Sequence, residues 1–97
     1  MKPSASLNAH LDQVLEAISR YPVRNPQLFG SAARADDAEA SDLDILVEPN
    51  DDATFYDLAR LELELESILG CEVDILTPGG LAPDIANRAA FDLKPLR

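Results

Sequence analysis

The chain has 97 residues, of which 46 % are apolar, and its 18 acidic and 8 basic residues give a formal charge of −10. That length holds one domain (residues 1–97) with one modest core, and so negative a surface repels phosphate backbones, which disfavours direct nucleic-acid binding and suits a basic protein partner or divalent cations better. Cys71 is the single cysteine, so there is no disulfide framework, and no apolar run is long enough to cross a bilayer.

Met1-Lys2-Pro3-Ser4 lacks the apolar core of a secretory signal, and with the cysteine usage this makes the cytoplasm the expected compartment. Leu7, Leu11, Val14, Leu15 and Ile18 recur at helical spacing, which predicts an amphipathic helix over Leu7–Arg20, capped by Ser4 or Ser6 and ended by Pro22. His10 lies beside the stripe and carries no assigned role. Val23–Phe29 predicts a strand whose opening is weakened by Pro26, because proline cannot donate to a ladder. A Gly30-Ser31 turn and a helical turn to Arg34 follow. The link Ala35–Ala40, small and acidic, reads as an exposed loop.

Ser41–Val47 predicts a second strand, broken by Glu48–Asp52. Thr54–Leu69 then predicts a helix with the stripe Phe55, Leu58, Leu61, Leu65, Ile68 and Leu69. Asp52 or Thr54 would cap it, Gly70 would end it, and Glu62, Glu64 and Glu66 would face water. Cys71–Leu76 is a third strand closed by Thr77–Gly80. Cys71 itself reads as a small, partly buried residue. A short helix over Ala82–Ala90 and a closing strand or tail at Phe91–Leu96 complete the reading.

The chemistry concentrates in two of these stretches. Side chains alternate across a strand, so Asp42 and Asp44 share one face while Leu43, Ile45 and Val47 take the core side. Adjacent carboxylates disfavour each other's ionisation, and a fold tolerates them where a cation lies between them or water surrounds them. Mg²⁺ prefers such oxygens together with substrate phosphates. Gly30 allows close backbone approach, Ser31 offers a hydroxyl, and the N–H groups opening the next turn can point at a polyphosphate. Asp74 would point away from the core side of its own strand. Each signal alone is common. Their combination in this order, on this strand pattern, carries the weight.

Gly30-Ser31 with Arg34, followed by Ser41-Asp42-x-Asp44, resembles the signature of the DNA-polymerase-β-like nucleotidyltransferases. The short chain most resembles the minimal nucleotidyltransferases, the antitoxin halves of HEPN–MNT toxin–antitoxin pairs. The resemblance implies an α/β (α+β) fold, a small mixed β-sheet flanked by helices. It also implies a two-ion Mg²⁺ site on Asp42, Asp44 and Asp74, which serve as both metal ligands and catalytic residues, with ATP as substrate. Gly30 and Ser31 would cradle the β- and γ-phosphates; Arg34 would bind phosphate or brace its loop against an acid. The implied reaction is attack of a hydroxyl on the α-phosphate with release of pyrophosphate. Two departures stand out: Ala35, where relatives usually carry glycine, and Ala32, where many carry a larger residue.

Larger relatives add a domain that binds the acceptor, and 97 residues leave no room for one. The resemblance therefore implies a partner, a HEPN-domain RNase toxin, with a tyrosine hydroxyl as acceptor. AMP there would add bulk and negative charge where RNA must bind. Two alternatives stay open: an antitoxin that neutralises by binding alone, and a homodimer that completes a pocket for a small-molecule acceptor.

Overall fold

The computed structural model describes residues 2–34, 36–80 and 93–96. Helices α1 (Pro3–Ala9) and α2 (Leu11–Ser19) lead into strands β1 (Val23–Phe29) and β2 (Leu43–Pro49). Helix α3 (Phe55–Leu69), strand β3 (Val73–Leu76), a 3-10 turn at Pro78–Gly80 and strand β4 (Lys94–Pro95) follow. The four strands form one mixed sheet in the order β3-β2-β1-β4. β1 runs antiparallel to both β2 and β4, whereas β2 and β3 are parallel. Parallel neighbours need a long crossover, and α3 supplies it. This is the small mixed sheet with helices that the resemblance implies.

Alternation on β2 builds the core. Leu43, Ile45 and Val47 are fully buried and meet Val73 of β3 and Leu28 of β1. Above them lie Leu61, Leu65 and Leu69 of α3 and Val14, Ala17 and Ile18 of α2. Of the two expected caps of α3, Thr54 does the work. The Asp57 N–H donates to its hydroxyl (3.2 Å) and the Thr54 N–H donates back to Asp57 Oδ2 (3.0 Å), a reciprocal box that satisfies two otherwise orphaned donors. Gly70, at φ 71°, ends the helix in the left-handed conformation.

Several expectations need correction. The single helix over Leu7–Arg20 is two helices, because His10 leaves the helical region (φ −121°). The bend aims α1 at α3, where the buried Ser6 hydroxyl donates to the Leu69 carbonyl (2.7 Å), one of the unpaired acceptors at that helix end. Neither Ser4 nor Ser6 caps its own helix; the N-cap position is Lys2, followed by Pro3. β2 runs on through Glu48 to Pro49 because Arg24 and Val23 pair with them across the sheet. The register shift between Arg24 and Gln27 absorbs Asn25, at φ 55°, and Pro26. Phe55, expected on the buried stripe, is 91 % exposed.

The glutamates of α3 do not simply face water. β3 is an edge strand, and its outward N–H groups are occupied: Val73 donates to Glu66 Oε2 (3.0 Å) and Ile75 to Glu62 Oε2 (3.1 Å). Glu64 pairs with Arg20. Cys71 is partly buried, as expected, though the strand after it starts only at Val73. The expected helix over Ala82–Ala90 lies outside the described residues, and the closing segment contributes the short β4. Among the described residues no helix is long and apolar enough to cross a membrane.

Residues 36 and 38–40 of the link are exposed, whereas Asp37 is only 3 % accessible. The Ser4 N–H donates to Asp37 Oδ2 (2.8 Å) and the Ser4 hydroxyl to Oδ1 (2.7 Å). Burial opposes ionisation of Asp37, but the two Ser4 donors, its own backbone N–H and Lys2 together hold its carboxyl below the usual range. A depressed folded value means that the stabilisation is present above the unfolded value, about 3.9, and is lost as pH falls through the folded one. Asp37→Ala should therefore cost about 1.5–3 kcal/mol at pH 7, the scale of hydrogen bonds to a charged group. In urea denaturation, the gap to wild type should close as pH falls below about 4.

Candidate active site

β1 ends at Phe29, whose register partner on β2 is Asp44. The chain then turns through Gly30 at φ 79°, and the Arg34 N–H donates back to the Gly30 carbonyl (3.3 Å). Two constraints make glycine necessary here. The positive φ disfavours any side chain, and a Cβ at this position would stand 3.0 Å from Asp44 Oδ2. The bend therefore brings bare backbone against the Asp44 carboxylate. Ser31 follows it half-buried, and Ala32, one of the two departures, is packed into the core. Ala35, the other, lies outside the described residues.

The parallel pairing of β2 with β3 puts Asp44 level with Asp74. Both point away from the Leu43–Ile45–Val47 side, as expected. The Asp44 carboxyl is pushed up to about 6, first by burial, then by the charge of Asp74 and a hydrogen bond shared with it, and last by the charge of Asp42. Asp42 lies exposed just before β2. Its neighbour is Glu72, whose carboxyl is raised above its ordinary value chiefly by a hydrogen bond with Asp42. The four acids thus stand as two pairs, Asp42 beside Glu72 and Asp44 beside Asp74. Among the described residues no three acidic, histidine or cysteine side chains converge closely enough to hold a metal ion as they stand.

Glu72 is the acid that the sequence reading passed over. Its signal was available: it precedes Asp74 by two in an extended segment, so both project from one face. Arg34 forms an exposed ion pair with Asp36 (Nε to Oδ2, 3.2 Å), which fits the bracing role among its two expected roles. Ser41 is a turn residue, its hydroxyl accepting from the Ala38 N–H (2.9 Å).

Comparison with known proteins gives the family. The nucleotidyltransferase domain family matches residues 11–95. The chain belongs to that family. This nucleotidyltransferase is 37 % identical over 83 residues to MJ0435 of Methanocaldococcus jannaschii, covering 86 % of this chain and 89 % of the relative. It is 36 % identical over 81 residues to the protein adenylyltransferase MntA of Thermococcus cleftensis, covering 84 % and 79 %. A solved minimal nucleotidyltransferase superposes with TM-score 0.85 at 38 % identity, over 98 % of this chain and 96 % of the other. A complex of tri-AMPylated Shewanella oneidensis HEPN toxin with its MNT antitoxin shares the fold, with TM-score 0.63 at 20 % identity over 98 % of this chain and 71 % of that one.

Two outcomes follow from the crowding of Asp44. Its folded value, about 6, exceeds the unfolded 3.9 or so, so the folded state holds the proton more tightly. The contribution of Asp44 to the stability of the metal-free protein should be fully present below about pH 4 and be lost as pH rises through about 6, as linkage requires. Asp44→Asn should flatten that part of the profile in thermal melts under chelator. Gly30→Ala should cost roughly 1–2 kcal/mol from backbone strain alone. It should also displace the Asp44 carboxylate, seen as loss of the same pH-dependent step.

Proposed function

We propose that this chain is a Mg²⁺-dependent protein adenylyltransferase that transfers AMP from ATP to a tyrosine hydroxyl of a HEPN-family RNase toxin and so acts as its antitoxin. The observation that carries this reading is the Asp44–Asp74 pair standing level on neighbouring strands beside the Gly30 bend. Family membership supports nucleotidyl transfer, and the relative named for protein adenylylation supports a protein acceptor.

The donor chemistry fits Mg²⁺. All four groups offer hard carboxylate oxygens, and the mutual repulsion at Asp44 is what a divalent cation relieves by favouring the ionised form. Asp42, Asp44 and Asp74 are the ligands proposed. The bound ions would neutralise charge on the triphosphate and on the leaving pyrophosphate. Gly30 and Ser31 would hold the β- and γ-phosphates through the bend, with Arg34 exchanging Asp36 for phosphate. Asp74, the more exposed of the central pair, orients the acceptor hydroxyl and takes its proton. The hydroxyl oxygen bonds to the α-phosphorus, the bond to the bridging oxygen breaks, and pyrophosphate departs.

With labelled ATP and Mg²⁺, the purified chain should label a co-expressed HEPN-domain partner. The Asp42→Asn, Asp44→Asn double variant should lose at least about 100-fold in rate, the scale of losing a preorganised electrostatic stabiliser. Labelling that survives unchanged in that variant overturns the assignment. Neutralisation of the toxin without nucleotide would instead support binding alone.

A further inference from the structure

The proposed reaction uses the aspartate end of β2 and β3. The other end of these strands carries an apolar surface that the reaction leaves unexplained. Phe55, at the start of α3, is 91 % exposed. With Leu58, Ala59, Ile75, Leu76 and Thr77 it lines a groove of about 440 Å³ between α3 and the edge of β3. A second hollow continues it past Phe55 to Ala53 and Pro49. A fully exposed phenylalanine beside such a groove is the anchor of a contact surface rather than a solubilising feature.

Three observations narrow the occupant. First, a strand cannot add to this edge by main-chain pairing, because Glu66 and Glu62 already occupy the outward N–H groups of Val73 and Ile75. Side chains must fill the groove, which is the mode of an amphipathic helix. Second, the surroundings are acidic. Glu62 lies in the groove wall, Asp51 and Asp52 precede its far end, and among the described residues no Lys or Arg lines either hollow. Arg60 is turned to the Tyr56 ring, 5.7 Å from its centroid. Third, Leu76 follows Asp74 by two on the same face of β3, roughly 6–7 Å along the strand. An occupant that reaches over the β3 edge at Leu76 comes onto the face that carries Asp74.

We infer that this groove docks a helix of the acceptor protein, one with an apolar stripe flanked by Lys or Arg, and that this contact presents the acceptor hydroxyl to Asp74. The inference rests on the protein-directed reading above. It adds the surface through which the chain recognises its target.

The test uses the full chain and its co-expressed HEPN-domain partner. Phe55→Ala and Ala59→Arg change exposed side chains, so both variants should fold and keep the Mg²⁺·ATP-induced rise in melting temperature. Each should weaken partner binding by about 30-fold, the scale of a hot-spot residue. p-Benzoylphenylalanine in place of Phe55 should crosslink to a partner helix carrying Lys or Arg. Partner affinity within about twofold of wild type in both variants, a change far below hot-spot scale, overturns the groove and leaves the transferase reading standing. Crosslinking to a second copy of this chain, or to its own residues 81–92, also overturns it. A wild-type chain that neither binds nor labels the partner removes both proposals.

Discussion

Two carboxylates held level on adjacent parallel strands repel each other, and much of this small fold can be read as the means of keeping Asp44 and Asp74 there. The apolar alternation of β2 fixes its register, since a slip by one residue would move Asp44 into the core and Ile45 out of it. The α3 crossover makes β3 parallel to β2, so that the register matching Val73 to Leu43 also matches Asp74 to Asp44. Hydrophobic burial on one face thus fixes an electrostatically unfavourable arrangement on the other. Local strain of this kind, over-determined by its surroundings, is characteristic of functional sites.

The Gly30 bend completes the constraint from the other side. Its backbone approaches Asp44 so closely that a Cβ there would stand 3.0 Å from Oδ2, beside a carboxylate already facing a like charge. Burial is the leading cause of the raised Asp44 value, ahead of Asp74. In the proposed reaction a cation would reverse this balance, so nucleotide and metal would be held most strongly where the isolated protein is least at ease. That is the usual exchange of stability for activity.

The strand patterning, the Gly-Ser bend and the shared face of Asp44 and Asp74 were legible in the sequence, because each follows from a short-range rule: period-two alternation, positive φ, hydrophobic register. What escaped depends on partners distant in sequence. Asp37 looked like one more acid in a solvated link, and only the fold brings Ser4 to it. Glu62 and Glu66 have the spacing of a wet helix face, yet an edge strand uses them as acceptors. Phe55 fits the helical stripe, but the stripe extends beyond the sheet it packs on. His10 breaks a helix with neither proline nor glycine, and the bend goes with a contact remote in sequence, Ser6 to the Leu69 carbonyl.

The Ser4–Asp37 contact couples parts of the chain that a linear map keeps apart. Asp37 belongs to the segment between the Gly30 bend and the acid-bearing β2, so tension on the opening turn of α1 is felt by that segment. A purification tag or fusion partner attached ahead of Lys2 would sit within two residues of this tether. Assays of the transferase are therefore better served by labels placed on an exposed position such as Ser67.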